Sequence, residues 1–411
     1  IYKYKPVFLA MVLLFNFPLA AGCQVAEKEI VRKQKVVALP GGLDKIPVFN
    51  SNSPEVVLKE GILLSTLEPD GKKHKSAHLA YGFKGRFDIF AHHIASGERS
   101  NHMEDLYIAI LVHNPGKKTV NLEILQAASY LSQPDAPFIP PDKLVENPSG
   151  SVYAGPGDRM TCELLRGDSQ AGWKKTLTIP GSTTLVLRKL PIPVSGLVPP
   201  LNGRSLLIRA KSSGIVNLAT VSKFASGDEP GKYIPPADSE FISLLKDGDL
   251  VAPRDIAPTP PAQTTGIKYG RVAGVALGST WKGVYVDEST THLLIPDGAV
   301  KVSLPLATVP GGTFATGQVQ SAPLVVRYPD TAYAAHGNYG VEYKITLPLK
   351  NLNEKLKKVK LSLDCPLKTD GEKGALRFLE PVSKSVFFRG TVKTKLGSEN
   401  EPVYHHLVLH R

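Results

Sequence analysis

The sequence predicts an all-β protein, built as two sandwich-like β domains with one short helix. Three observations carry that reading. Apolar residues alternate with polar ones over short runs, as in Val120, Leu122 and Ile124, the period-two pattern of a strand with one buried face. Proline is abundant, 34 of 411 residues, against a norm of about 5%, which favours short strands and many turns over long helices. Turn signals such as His113-Asn-Pro-Gly116 recur between the apolar runs. With 42% hydrophobic and 21% charged residues, the chain has enough apolar surface to build cores.

In chain order, residues 1–22 are expected to be a secretory signal. Lys3 and Lys5 precede an apolar run from Val7 to Phe17, and small residues follow at Ala20-Ala-Gly22. The run is shorter than the roughly 20 residues that span a bilayer. Cys23 stands where a lipoprotein carries its lipid, so a lipid anchor at Cys23 is one expectation and simple cleavage after Gly22 the other. With only Cys23, Cys162 and Cys365 present, a Cys-rich zinc site is excluded, and the odd count in an exported chain fits lipidation of the first. Residues 23–38 are charged and read as a tether.

The first domain is expected over 39–251. Leu106–Val112 and Thr119–Leu125 read as a hairpin turning at Asn114-Pro-Gly116. Further strands are expected at Gly61–Leu67, Leu79–Phe90, Leu177–Ile179, Thr183–Arg188, Ser205–Ala210 and Ile215–Phe224. Prolines 134, 137, 140 and 141 make 133–148 an irregular loop. The one helix is Ser239–Asp247, capped by Asp238, with Phe241, Leu244 and Leu245 on one face and Gly248 as its stop. The Pro-rich stretch 252–266 reads as an extended linker.

The second domain, 267–411, repeats the same grammar. Strands are expected at Lys268–Gly278, Trp281–Val286, Val300–Thr308, Gln318–Tyr328, Val341–Leu349, Lys357–Leu363 and Ser385–Leu396. The Val341–Leu349 and Lys357–Leu363 pair echoes the earlier hairpin. Basic charge is concentrated here, net +7 against +3 for residues 23–266, and Lys355, Lys357, Lys358 and Lys360 crowd one segment. Two explanations compete. The lysines could contact an anionic envelope polymer or a membrane surface, or they could be a solvated face that guards an edge strand. No motif combines aromatic and basic residues as nucleic-acid binding requires. Oligomeric state is not readable.

Few residues suggest chemistry. Histidines 74, 78, 92, 93, 102 and 113 cluster in sequence, and imidazole is the commonest metal ligand, so His78, His92 and His102 are the candidate metal ligands. Adjacent His92 and His93 should face opposite sides of a strand. There is no Gly-x-Ser-x-Gly elbow and no phosphate-binding loop. Cys162 would be a nucleophile only beside a histidine, and its simpler reading is a small buried apolar residue. No cofactor is expected. Rigid sandwiches place function on loops, so the stretches 132–158 and 328–341 supply the candidate contact residues: Asp135, Phe138, Tyr153, Asp158, Tyr328, Asp330, Tyr333, His336, Asn338 and Tyr339.

Several longer motifs carry a resemblance. Among them are Gly85-Arg-Phe-Asp-Ile-Phe-Ala-His-His93, Gln126-Ala-Ala-Ser-Tyr-Leu-Ser-Gln-Pro-Asp-Ala-Pro-Phe138, Val152-Tyr-Ala-Gly-Pro-Gly-Asp158, Arg327-Tyr-Pro-Asp-Thr-Ala-Tyr333 and His336-Gly-Asn-Tyr-Gly-Val-Glu-Tyr343. Over roughly residues 38–411 the chain resembles the cyanobacterial domain-of-unknown-function family 3370. The resemblance implies an exported protein of uncharacterised role, offers no catalytic residues, and implies a further strand beyond Arg411. The reading it leaves is a non-enzymatic binding or structural module of the cell envelope, periplasmic or extracellular. The alternatives are a metal-binding protein using His74–His113 and a hydrolase of wall or exopolysaccharide.

Overall fold

The computed structural model describes residues 27–411, apart from 228, 230, 231, 255, 264 and 399. The expected signal and Cys23 lie outside the described residues. The fold is mostly β, with 41% of residues in strands and 7% in helices. No helix among the described residues is long and apolar enough to cross a membrane.

The strands that matter for the candidate sites are, in chain order, β1 (Lys28–Lys33), β2 (Pro47–Ser51), β3 (Gly61–Ser65), β4 (Phe83–Ser96), β5 (Leu106–Asn114), β6 (Val120–Leu131) and β7 (Leu144–Glu146). Helix α1 (Pro156–Arg166) follows, then β8 (Thr176–Ile179), β9 (Thr183–Ile192), β10 (Leu201–Phe224) and α2 (Asp238–Asp247). The second half adds β11 (Ala273–Leu277), β12 (Thr280–Val284), β13 (Ala322–Arg327), β14 (Glu342–Thr346), β15 (Ala375–Glu380), β16 (Val386–Thr394) and β17 (Val403–His410).

Strand β10 is the shared element. Its first half, Leu201–Ser212, pairs antiparallel with β4 on one side and β6 on the other. Past a break at Ser212–Gly214 its second half pairs with β5 and β3. The strand therefore belongs to two sheets. One runs β8-β6-β10-β4-β2-β11-β13 and the other β9-β5-β10-β3. Their inner faces meet in one core that includes Phe49, Phe87, Ile89, Ile108, Ile110, Leu122 and Ile208. The expected strands at 205–210 and 215–224 are thus one bent strand.

Both outer faces are also covered. Helix α2 sets Phe241 and Leu245 against Ala109, Leu111, Ala219 and Val221. Helix α1 sets Met160 and Leu164 against Ala128, Tyr130 and Leu207. This explains two sequence patterns. Leu106–Val112 is continuously apolar because β5 is buried on both faces. Strand β6 alternates at Val120, Leu122 and Ile124, then is buried without a break from Ala127 to Leu131, where α1 lies over it.

Several expectations are corrected. Strands β5 and β6 do not pair as a hairpin. They lie in opposite sheets, each pairing with a different half of β10, and the Asn-Pro-Gly turn crosses between layers. Helix α1, which the sequence reading does not expect, follows the irregular loop 133–148 and begins at the end of the stretch 132–158. Pro156 at its first position and Gly167, with φ 94° at its end, are the signals that mark it. Helix α2 is capped not by Asp238 but through Glu240, whose carboxylate accepts the Ala237 N–H at 2.7 Å. The charged tether contains β1, which pairs along its whole length with β15.

The Pro-rich stretch does not separate the pairing of the two halves. Strand β11 pairs with β2, β7 pairs with β17, and Gly42–Leu43 pairs with β12. Tyr328, expected on a surface loop, is fully buried. Its hydroxyl accepts the Ser65 N–H at 3.0 Å and donates to the Ala77 carbonyl at 2.8 Å. Tyr328→Phe should leave both backbone groups buried without a partner. A loss of about 1–3 kcal/mol is expected, read as a lower urea midpoint at unchanged slope, and an unchanged midpoint would contradict this role.

Candidate functional site

The loop 132–158 folds inward because its polar groups find partners there. The Asp135 carboxylate accepts the Leu131 N–H at 2.8 Å, and its carbonyl accepts a hydrogen bond from Arg159. That guanidinium lies 4.0 Å from the Tyr130 ring centre and 4.8 Å from that of Tyr153. Phe138 stays 64% exposed, yet a Cβ on Gly155 would meet its ring at 2.3 Å, so only glycine fits there, at φ 96°. Arg389 lies over the other part of this ring, 5.2 Å from its centre.

Asp158 is the residue most changed by the fold. It is buried, and its Oδ2 accepts the Ala154 N–H at 2.7 Å and sits 2.6 Å from Nε2 of the fully buried His406. Cys162 lies one helical turn further along α1, and Asn147 Nδ2 approaches its sulfur at 3.7 Å. Asn147 also donates to the Val152 carbonyl and to Thr391 Oγ1. The sequence thus does bring a histidine into the same buried network as Cys162, from 244 residues away. Burial raises the thiol's pKa, which keeps it protonated, and His406 spends its Nε2 on Asp158. With Cys162, Asp158 and His406 all buried, the arrangement holds α1 against β16 and β17.

The stretch 328–341 is likewise mostly structural. Asp330 pairs with Arg254, and Arg327 lies 3.7 Å from the Tyr333 ring centre. His336 packs on Tyr269 with ring centres 4.6 Å apart, and burial lowers its pKa to about 4. Buried Asn338 accepts the Ala322 N–H and donates to the Gln320 carbonyl and the Tyr343 hydroxyl. Tyr339 is 68% exposed. It borders a slot of only about 10 Å³ shared with Asp88, Phe90 and Ser279, room for a single water. Of the ten candidates, Phe138 and Tyr339 alone are broadly exposed.

The histidine candidates are held apart by different partners. His78 Nδ1 lies 2.8 Å from Ser65 Oγ, and burial lowers its pKa to about 4. His92 contacts Ser205 Oγ at 3.0 Å and Glu55 at 3.4 Å. His93 faces the other way, to Ser51 Oγ and the Pro54 carbonyl, with its pKa lowered to about 3 by burial. His102 pairs with Glu104 and stacks on Phe224. Among the described residues, no three His, Cys, Asp or Glu side chains come together as a metal site.

Exposed features gather instead in the second half. The expected partner strand 357–363 forms no strand; β14 pairs in parallel with β12 and is the edge of its sheet. Across residues 352–361, Leu352, Leu356 and Leu361 are 67%, 102% and 71% exposed, interleaved with exposed Lys355, Lys358 and Lys360. Lys357 alone folds back, to Asp297 at 2.9 Å and the Ile295 carbonyl at 2.8 Å. A cleft of about 190 Å³ opens between β15 and β17. Its apolar wall is Phe378, Leu379, Val382, Val408 and Leu409, and Arg32, Lys143, Arg411 and Asp364 also line it. The lysines of the first feature are the cluster that the sequence already offers as a contact with an anionic surface, whereas its exposed leucines and the cleft carry no motif.

A family model described as "Protein of unknown function (DUF3370)" matches residues 34–411. No curated protein and no solved structure matches the chain.

The buried histidines set a pH response. With His78, His336 and His93 lowered to about 4, 4 and 3, the unfolded chain binds more protons than the folded one below its ordinary histidine pKa of about 6.5. Stability should therefore rise with pH from about 4 to 6.5, each histidine adding about 1.4 kcal/mol per pH unit at most. It should be lost as pH falls through that window. Urea unfolding at stepped pH checks this, and His336→Phe should flatten the slope by about one proton.

Proposed function

The chain belongs to the DUF3370 family of proteins of unknown function, and from that premise we propose that it is a non-catalytic binding protein of the cell envelope, exported and seated against an anionic membrane surface through residues 352–361. One observation carries this reading: an unpaired segment that presents leucines and lysines together to solvent. A lysine near an anionic bilayer contributes about 1 kcal/mol, and a leucine that leaves water contributes about 1.5–3 kcal/mol when fully buried. A polymer of acidic groups would engage the lysines alone. The exposed Leu352, Leu356 and Leu361 favour a surface with an apolar interior.

Export is proposed from the Lys3–Phe17 pattern. A lipid on Cys23 would add a second anchor, since a single weak contact gives only reversible binding. The metal-handling reading loses support because His78, His92 and His102 are each engaged elsewhere. A glycoside hydrolase needs two carboxyl groups about 5–10 Å apart in a cleft, and Asp364 is the single carboxylate among the residues that line the larger cleft.

Vesicle sedimentation tests the proposal. The protein should pellet with phosphatidylglycerol-containing vesicles and remain in solution with phosphatidylcholine alone, and added salt should release it. Replacing Lys355, Lys358 and Lys360 together with Gln should weaken binding about 100-fold. Leu356→Asn with Leu361→Asn should weaken it further without changing the circular dichroism spectrum. Equal recovery with both lipids, or an unchanged triple variant, would refute the reading.

A further inference from the structure

We propose that the turn carrying Tyr339 and the slot beside it bind a neutral hexopyranose unit, with the sugar ring on the tyrosine and its hydroxymethyl group in the slot. This reading goes beyond the membrane contact and uses none of residues 352–361.

The platform is built to hold still. The Asn338 N–H donates to the Ala335 carbonyl and the Val341 N–H to the Asn338 carbonyl, both at 3.0 Å, so two tight turns share Asn338. Asn338 takes φ 46° and Gly340 φ 80°, left-handed values that asparagine and glycine tolerate. The Asn338 side chain is itself tied to Ala322, Gln320 and Tyr343. The Tyr339 ring lies nearly parallel to that of Phe90, at 11° with centres 6.4 Å apart. A Cβ on Gly337 would overlap the Tyr339 ring, so the backbone there backs it closely. The ring is nonetheless 68% exposed. A rigid, wet aromatic ring offers apolar contact at little cost in conformational entropy, and the C–H face of a sugar ring is its flat complement.

The slot supplies the polar half. Its volume, about 10 Å³, has room for one water or one hydroxyl group. Three of the residues that line it carry acceptor oxygens: Asn50, Asp88 and Ser279. Asn50 is 4% exposed, and among the described residues its Oδ1 has no hydrogen-bond partner. Such a buried oxygen costs free energy until a donor reaches it. Ser279 Oγ donates its proton to Asp44 Oδ2 at 2.9 Å, so toward a ligand it can only accept. Asp88 is buried and paired with Arg86.

Charge and size select the ligand. Burial raises the pKa of Asp88 against the pull of Arg86 and Arg209, the response of a carboxylate short of hydrogen-bond donors. An ammonium entering the slot would meet the field of both guanidiniums. A hydroxyl brings the donor hydrogen without the charge. In a hexopyranose the hydroxymethyl group projects beyond the ring, so its oxygen can enter the slot while the ring stays on Tyr339. A pentopyranose lacks that group.

A saturation-transfer NMR titration of the full chain tests this, with the methyl glycosides of glucose, galactose, mannose and xylose as probes. At least one hexoside should bind with a Kd of about 1 mM, and the xyloside, which has no hydroxymethyl group, about 10-fold more weakly. Tyr339→Ala should weaken the hexoside about 10-fold, and Tyr339→Phe should bind it like the parent. Asn50→Ala should bring the hexoside down to the affinity of the xyloside. Tyr339 stands at the surface, where substitution leaves the core intact. If Asn50→Ala fails to fold, the parent's preference for hexoside over xyloside tests the slot without a variant. No saturable hexoside, or Tyr339→Ala binding like the parent, overturns the proposal. Equal affinity for the xyloside overturns the role of the slot, and tighter binding of methyl glucosaminide overturns the neutral ligand. Loss of vesicle binding with hexoside binding retained would refute the membrane reading alone.

Discussion

The architecture depends on one strand bending without losing its hydrogen bonds. Leu201–Phe224 pairs with four neighbours and lies in both sheets, so its bend sets how the two layers face each other. The break falls at Ser212–Gly214, where the Ser212 hydroxyl donates to the Gly214 carbonyl at 2.5 Å. A Cβ at Gly214 would sit 2.6 Å from a Val120 methyl, so the turn relies on a residue without a side chain. Because both sheets meet at this strand, a core cluster of thirty-odd buried residues forms as a single unit. The second half of the chain then grafts onto its edges rather than folding beside it.

That grafting explains why most polar side chains of the Pro-, Asn- and Gly-rich stretches turn inward. They are the seams. Tyr328 and Asn338 each place a polar group where buried backbone donors and acceptors outside their own stretch need a partner, and Asp158 does so for the Ala154 N–H and the His406 side chain. Buried polar groups must be satisfied, and loops are the part of a β protein free enough to supply the missing bonds. The Asp158–His406 pair joins α1 to β17 across 248 residues of sequence. Its cost in desolvation is offset only while both partners are present.

The membrane contact surface proposed above is one that the seams do not use. It lies in the second half of the chain, where the net charge is also most positive. Residues 352–361 form no strand and are largely exposed, and β14 is left as the edge of its sheet beside β12. The cleft arises for a related reason. Strands β15 and β17 pair with early segments of the chain, β1 and β7, and the space between these two small sheets is not filled by a side chain. Arg32 and Lys143, which line it, stand far apart in the sequence and meet only in the folded protein.

Much of the fold was legible because side-chain period and turn chemistry are local. The all-β class, strand β5, the alternation in β6, helix α2 and the opposite facing of His92 and His93 follow from residues a few positions apart. Partnership is not local. Whether Val120–Leu131 pairs with its sequence neighbour or with Leu201–Ser212 depends on which arrangement buries both faces. The same holds for the tether that became β1, the missed α1, and the loop candidates that turned inward. The sequence by itself therefore determined the kind of element and the sign of the charge along the chain. Only the tertiary structure decided which polar residues are buried and which cations converge, because burial and electrostatic summation are properties of distance in space.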